Sequence, residues 1–269
     1  MKKVFRKHSQ YERVPLIKKE PLVRSGSLYR SNGATTIRLN RYLAHAGLAS
    51  RREADELIKT GMVEINGKVI TELGYKILPT DRVKFDGRYI FPEKKVYILL
   101  NKPKGFITTT QDEKGRRTVM DLVAKASSSR IYPVGRLDRQ TTGVLLLTND
   151  GNLVKKLTHP KYQVKKIYHV VLHRKLEGAD LEKIKKGIYL AEGKVQIDAI
   201  SYVQNAKKNE LGIELHIGWN RVIRRVFETL DYEVTRLDRV SFGGLTKKNV
   251  KRGQWRTLTQ KEIHFLKIF

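Results

Sequence analysis

The sequence predicts an α+β protein in which a small module of helices and hairpins precedes a larger domain built on a mixed, mainly antiparallel sheet. The first observation is a pair of short amphipathic segments over 37–61, followed by two hairpin signals, Asn66-Gly67 and Asp86-Gly87. The second is that the later elements are short and do not form a βαβ repeat; they include alternating runs over 195–203 and 211–217, each of which predicts one strand. We therefore expect three parts: a disordered arm over 1–36, the small module with its linker over 37–95, and the main domain over 96–269.

The charge of the chain indicates its partner. Its 269 residues include 55 Lys and Arg against 27 Asp and Glu, a formal net charge of +28. Such an excess predicts a polyanionic partner, and nucleic acid is the first candidate. Apolar runs such as 96–100 are too short to span a membrane, and the N-terminus lacks the apolar core of a secretory signal. We therefore expect a cytoplasmic protein without membrane contact.

The sequence offers no signature of a metal or a cofactor. It contains no cysteine, so disulfides and thiolate metal sites are excluded, and its seven histidines lack metal-ligand spacing such as HExxH. It also lacks GxGxxG and P-loop motifs. We expect chemistry that needs neither a metal nor a nucleotide cofactor.

The first 36 residues predict a disordered basic arm. They carry nine Lys or Arg against two Glu, and prolines, glycines and serines interrupt any periodicity. The arm has two possible roles. It could serve solubility alone, or it could make non-specific phosphate contacts that weaken with salt.

Two helices begin the small module. Leu39, Leu43 and Ala46 follow helical spacing, and Ser50 with Glu53 predicts a capping box for a second helix that Gly61 ends. Four arginines lie off the apolar stripes or in the first turn of the second helix. They are Arg38, Arg41, Arg51 and Arg52. Arg51 and Arg52, in the first turn of the second helix, oppose the helix dipole, so a ligand phosphate near the helix start explains their position better than folding does.

A buried strand over 96–100 opens the main domain. It leads into the turn Asn101-Lys102-Pro103-Lys104-Gly105. Lys102 and Lys104 are candidates for contacts with backbone phosphates, although lysines on such a turn are usually only solvated.

The central stretch of the domain places Asp138 in a loop between two strands. A β-branched and aromatic run ends at Gly135, and an apolar strand follows over Val144–Leu147. The charges of Arg136 and Arg139 should keep a partly buried carboxylate ionised, and a fixed, ionised carboxylate is a usable nucleophile. The plainer alternative is that Asp138 only accepts bonds from the amides of its turn.

Two later segments carry further candidate functional residues. An alternating run over 165–173 predicts a strand with Tyr168, which would usually be a core residue with a satisfied hydroxyl. The run over 218–232 predicts a helix with Asn220 as its N-cap, an apolar face and an opposite face that carries Arg224 among three arginines. Three arginines against one Glu exceed what solvation requires, but a plain charged surface is the alternative. A second RLD ends at Asp238, and we assign it no catalytic role because it lacks the preceding Gly and the following TTG.

These segments together resemble a known family. The stretch over 131–150 reads IYPVGRLDRQTTGVLLLTND and resembles the central motif of the pseudouridine synthases, in the branch that modifies ribosomal RNA and carries an N-terminal S4 domain. NKPKGF, KIYHV and GWNRVIRRVFETLDY are similar to further motifs of that family. The resemblance implies an active site of Asp138, Tyr168 and Arg224, with Tyr168 stacked on the target base and Arg224 paired with Asp138. The family commonly has Gln where this chain has Val222, so a polar contact is expected to be missing.

The resemblance extends to the small module. The run RLNRYLAHAGLASRREADELIKTGMVEINGKVI is similar to an S4 domain. That likeness implies that the face with Arg38, Arg41, Arg51 and Arg52 binds structured RNA, with a solvated charged face as the alternative.

The implied function is isomerisation of one uridine in ribosomal RNA to pseudouridine by a monomeric enzyme. The target must be flipped out of the RNA, and Arg136 is a candidate to fill the space that it leaves. Asp138 could stabilise the positive sugar, trap it covalently or take its C2′ proton, and the sequence leaves these roles open. DEKGRRTVMDL and FGGLTKKNVKRGQWRTLT favour a large-subunit RNA, with a small-subunit RNA as the alternative. A non-catalytic ribosome assembly factor and a nucleic-acid-binding module driven by charge alone are the other interpretations.

Overall fold

The structure of the protein, a computed structural model, describes residues 36–269. The predicted basic arm over 1–36 therefore lies, except for its last residue, outside the described residues. The chain forms two compact units that divide between Lys94 and Lys95. Both units combine helices with strands, and the α+β prediction is confirmed. None of the helices in residues 36–269 has the length and apolar composition that crossing a membrane requires.

The first unit consists of two short helices and small antiparallel sheets. Its elements are β1 (Ile37–Arg38), α1 (Leu39–His45), α2 (Arg51–Lys59), β2 (Val63–Ile65), β3 (Lys68–Val69), β4 (Lys76–Ile77), β5 (Val83–Phe85) and β6 (Arg88–Tyr89). The Ser50 side chain accepts from the Glu53 amide, and the Glu53 side chain accepts from the Ser50 amide, as the predicted capping box requires. Leu39, Leu43 and Ile58 are almost fully buried, so the two helices share one apolar core.

Both predicted hairpins are present in this unit. Asn66 and Asp86 adopt φ of 54° and 48°, each followed by a glycine of positive φ, which is the geometry of tight two-residue hairpin turns. These turns join β2 to β3 and β5 to β6. Arg38 lies on β1, where it pairs with Lys76 of β4, and α1 begins one residue later.

The second unit is built on one large sheet. Its elements are β7 (Tyr97–Lys102), α3 (Val119–Val123), β8 (Tyr132–Pro133), β9 (Thr142–Thr148), α4 (Gly151–Thr158), β10 (Lys166–Leu172), α5 (Gly178–Lys186), β11 (Ile188–Leu190), β12 (Gly193–Val195), β13 (Ala199–Tyr202), β14 (Glu210–Leu215), α6 (Val222–Glu228), β15 (Val234–Phe242), β16 (Leu245–Thr246), β17 (Trp255–Thr257) and α7 (Gln260–Ile268). The main path of the sheet runs β13-β14-β10-β15-β9-β7-β17, with β16 on β15 and β8 on β9. The β15–β9 pair is parallel and the other pairs are antiparallel, as expected of a mixed, mainly antiparallel sheet.

Apolar side chains cover both faces of this sheet. Successive residues of β9 belong to different clusters, since Leu145 packs with α3, α5 and α6, whereas Val144 packs with α4 and α7. Side chains alternate between the two faces of a strand, so both faces of β9 are buried. This burial explains the continuous apolar run that predicted the strand.

Two predicted elements differ from the structure. The run over 195–203, predicted as one strand, is divided between β12, which pairs with β11, and β13, which lies at the edge of the large sheet. The predicted N-cap Asn220 is wrong, because Arg221 is the N-cap of α6, with φ of 47° and no capping side-chain bond. The Asn220 carbonyl instead accepts a bond from the Arg225 side chain at 3.1 Å.

Candidate active site

Asp138 lies in the loop over 134–141, between β8 and β9, as predicted. The loop is anchored by Leu137, which is buried and whose amide and carbonyl both bond to the Thr108 hydroxyl, at 3.2 and 2.8 Å. The Asp138 carbonyl accepts from the Thr141 amide at 3.0 Å. The Asp138 side chain is partly exposed, and its carboxylate accepts no hydrogen bond from any residue in 36–269. The alternative of an Asp that binds the amides of its own turn is therefore not observed.

Lys102 supports the loop by binding its backbone carbonyls. Its side chain is fully buried, and its ammonium donates to the carbonyls of Thr141 at 2.8 Å and Asp138 at 2.9 Å. Longer contacts reach the carbonyls of Pro103 at 3.2 Å and Arg139 at 3.4 Å. Burial lowers the pKa of Lys102 to about 8, and the charge of Asp138 opposes that lowering. A buried cation thus binds the backbone of the loop, and within residues 36–269 no group donates a hydrogen bond to the Asp138 carboxylate.

The expectation that Lys102 reaches an RNA phosphate is wrong, because this lysine is not on the turn. β7 continues through Lys102, whose side chain lies on the same face as those of Ile98 and Leu100, four and two residues earlier. Lys104 is exposed on the turn. The alternation along β7 could have predicted this burial, whereas nothing in the local sequence identifies Thr108 as a partner of the loop.

The central motif has a glycine, Gly143, after its two threonines, and the packing of the sheet requires it. Its φ is 110°, and a Cβ at this position would overlap the backbone of Arg239 on β15. Arg239 pairs with Gly143 at the point where the parallel strands β15 and β9 meet. Only glycine allows the two backbones to approach so closely.

Tyr168 lies on β10 and is 8% exposed. It belongs to the same apolar cluster as Leu137, the anchor of the Asp138 loop. Its strand neighbour on β15 is Arg239, which also pairs with Gly143. Among the residues that the structure describes, none accepts or donates a hydrogen bond at the Tyr168 hydroxyl. The predicted strand is confirmed, but the alternative of a core tyrosine with a satisfied hydroxyl is not.

Arg224 lies on α6 and is partly buried. It donates to the Val234 carbonyl at 2.6 Å, while its buried Nε has no partner within residues 36–269. Burial and the neighbouring Arg221 lower the pKa of Arg224, and the charge of Asp138 raises it. The structure therefore places Arg224 within the electrostatic influence of Asp138 and not in a direct ion pair. Val222, at the position where a polar contact was expected to be missing, is buried in the apolar cluster.

The other predicted RNA-binding residues lie at the surface. Arg136 is exposed two residues before Asp138. In the first unit, the predicted arginines are exposed except for Arg41, which is partly buried; they are Arg38, Arg41, Arg51 and Arg52. The described residues hold no group of three or more His, Cys, Asp or Glu that could bind a metal ion.

Comparisons with known proteins identify the class. A family model described as RNA pseudouridylate synthase matches residues 96–229, and the S4 domain model matches residues 37–83. A Bacillus subtilis protein named ribosomal large subunit pseudouridine synthase B is 43% identical over 233 residues, which cover 86% of this chain and 95% of that protein. An uncharacterized RNA pseudouridine synthase from Aquifex aeolicus is 38% identical over 230 residues, covering 84% and 92%. A crystal structure of a pseudouridylate synthase shares 26% identity with a TM-score of 0.60, covering 86% of this chain and 99% of that one.

The fold and these matches define an RNA-modifying isomerase with an RNA-binding module. The chain belongs to the S4-domain RNA pseudouridine synthases, and the resemblance of its motifs to that family is confirmed.

Proposed function

We propose that the protein isomerises a specific uridine of large-subunit ribosomal RNA to pseudouridine, with Asp138 as the nucleophile. One observation carries this proposal: Lys102 and Thr108 bind the backbone of the Asp138 loop, while no residue in 36–269 donates a hydrogen bond to the carboxylate. A carboxylate that no neighbour occupies is free to act on a substrate. The large-subunit target is supported by the name of the Bacillus subtilis relative, which shares 43% of its residues with this chain.

In the proposed reaction, a carboxylate oxygen of Asp138 attacks C1′ of the flipped-out uridine. The N1–C1′ bond breaks and its electron pair stays on uracil. The base then turns so that C5 faces C1′, and the C5–C1′ bond forms as the carboxylate leaves. C5 then loses its proton and N1 gains one, so that the product is an isomer of the substrate. Positive charge on the sugar favours an anionic partner throughout, as in glycoside hydrolysis. Nothing is oxidised or reduced, so the reaction calls for no electron carrier.

The remaining candidates assist this step. Tyr168 would stack on the uracil with its ring and use its hydroxyl for proton transfer. Arg224 would hold the Asp138 carboxylate in position, and the favourable charge interaction between Asp138 and Arg224 supports that role. Arg136, exposed two residues before Asp138, would enter the space that the flipped uridine leaves and offset part of the cost of flipping.

Binding of the ribosomal RNA would be shared among three parts of the chain. The arm over 1–36 and the S4-like part over 37–95 would hold the RNA, and the domain over 96–269 would act on it. The arginines of the S4-like part and Lys104 would supply phosphate contacts. We propose that the protein works as a monomer in the cytoplasm, on free RNA or on a pre-ribosomal particle.

Tritium release from RNA labelled at uridine C5 tests the proposal. Unmodified large- and small-subunit RNA would be incubated with the wild type, with Asp138→Asn and with Asp198→Asn. Asp198 is a control because it is a carboxylate outside the candidate site, where it lies beside His216 at the start of the edge strand β13. We expect release by the wild type and Asp198→Asn on large-subunit RNA only.

Release by all three proteins would remove Asp138 from the centre of the reaction. Release by none of them, with RNA binding retained, would favour the assembly-factor interpretation. Release from small-subunit RNA alone would overturn the proposed target.

A further inference from the structure

A second aspartate, Asp238, lies near the loop that carries Asp138 but is not used by the proposed reaction. It is on β15 and only 5% exposed. Its carboxylate accepts from the Thr142 hydroxyl at 2.6 Å and from Arg252 Nη1 at 3.0 Å, and it forms an ion pair with Lys247. A carboxylate of this burial normally serves a defined set of partners, and these partners indicate its role.

The partners of Asp238 lie at the two strand ends from which the Asp138 loop is supported. Thr142 is the first residue of β9, and it follows Thr141, whose carbonyl accepts from Lys102. The same Nη1 atom of Arg252 that binds Asp238 also reaches Asn101 Oδ1 at 2.6 Å and the Lys102 carbonyl at 3.3 Å. Asp238 is therefore connected to the start of β9 by one hydrogen bond, and to the end of β7 by two hydrogen bonds through Arg252.

The charge of Asp238 is what holds this cluster together. Burial would raise the pKa of Asp238, but the hydrogen bonds from Lys247, Thr142 and Arg252 lower it below its usual range. The carboxylate is therefore ionised at neutral pH and compensates two neighbouring cations. Without its charge, Lys247 and Arg252 would repel each other beside the Lys102 ammonium, so the strand ends would shift.

We infer that Asp238 is a positioning residue of the isomerisation: through Thr142 and Arg252 it fixes the two strand ends that hold the Asp138 loop. The inference depends on the proposed role of Asp138 in catalysis. It assigns a function to the second RLD of the sequence, which has no catalytic role of its own.

The test compares Asp238→Asn with a matched control, Asp180→Asn. Asp180 likewise accepts from a hydroxyl and a lysine, those of Tyr232 and Lys183, but it lies on α5. At equal folded fraction, we expect Asp238→Asn to lower kcat about 10- to 100-fold with KM and RNA affinity unchanged, since a shift of about 1 Å can cost 100-fold. Asp180→Asn should leave kcat unchanged.

A second variant keeps the test valid if Asp238→Asn does not fold. Thr142→Val removes only the hydroxyl that donates to Asp238. We expect a kcat several-fold below that of the wild type, and we expect the double variant to be no slower than Asp238→Asn alone, because both changes break the same contact. Additive losses, a loss confined to KM, or equal kcat values for the Asp238 and Asp180 variants would overturn the inference.

Amide hydrogen exchange separates this inference from the proposed function. The Thr141 amide, bonded to the Asp138 carbonyl, should exchange faster in Asp238→Asn than in the wild type and in Asp180→Asn. Unchanged exchange would refute the positioning role. If Asp138→Asn retained tritium release, the proposed role of Asp138 would fail while the exchange result still reported on the loop.

Discussion

Replacement of Lys102 by Met tests whether a buried ammonium holds the Asp138 loop. Methionine keeps most of the length and apolar contact of the lysine but removes its charge and donors. The two short bonds, to Thr141 at 2.8 Å and Asp138 at 2.9 Å, would be lost together with the two longer ones. The Thr141 carbonyl would lose the donor that Lys102 supplies, whereas the Asp138 carbonyl would keep its bond from the Thr141 amide.

The magnitude follows from these bonds. Hydrogen bonds to a charged group contribute roughly 1.5–3 kcal/mol each, so the two short ones amount to about 3–6 kcal/mol. The variant has no ammonium to desolvate on folding, and this saving offsets part of the lost hydrogen-bond energy. We therefore expect the free energy of unfolding to fall by about 3 kcal/mol. At a urea slope of roughly 2–3 kcal/mol/M, the midpoint would fall by about 1 M.

Urea unfolding followed by circular dichroism measures this change, with Lys104→Met as the matched control. Lys104 is two residues away in the same motif, and its side chain is exposed. We expect the control to unfold at the midpoint of the wild type within about 0.5 kcal/mol. Equal midpoints for the two variants would refute the reasoning, because Lys102 would then contribute no more than a solvated lysine.

Three further results are expected. Gly143→Ala should abolish folding or cost more than about 4 kcal/mol, whereas Gly135→Ala, also at positive φ but in open space, should cost about 1 kcal/mol in the same urea assay. The pKa of Lys102 is lowered to about 8 from 10.5, so between these pH values the unfolded chain binds more protons and the Lys102 contribution to stability rises with pH. The stability difference between wild type and Lys102→Met should therefore widen from pH 8 to 10.5, and a constant difference would contradict the lowered pKa. Arg51→Ala with Arg52→Ala should weaken RNA binding and reduce the salt slope by about 1–2 while kcat is unchanged, and an unchanged salt slope would exclude phosphate contacts.

Local signals in the sequence predicted local structure well. The hairpin turns at Asn66 and Asp86 and the capping box at Ser50 each depend on neighbouring residues, so the sequence pattern was sufficient. The loop position of Asp138 could likewise be predicted, because apolar runs define the strands on both sides. The N-cap of α6 could not, since Arg221 takes a left-handed conformation that Asn would normally be expected to favour.

The support of the candidate site could not be predicted, because it joins distant parts of the chain. Asn101 and Arg252 are 151 positions apart, and Thr142 and Asp238 are 96 positions apart. No local pattern reports such contacts. The alternation of side chains along β7 gave a partial signal that Lys102 is buried. The Pro-Gly turn that follows instead favoured the expectation of a solvated lysine.

The central place of β15 in the sheet determines where the polypeptide chain can be truncated without losing the candidate site. Along the main path of the sheet in residues 36–269, β15 lies between β10, which carries Tyr168, and β9, which follows Asp138, and the Val234 carbonyl at its start accepts from Arg224. A chain cut after residue 229, where the family match ends, would keep all three candidates and lose the strand that sets their spacing. During synthesis, the site could therefore form only after β15 has left the ribosome. A separately added segment over 230–269 would be expected to restore what the cut removes.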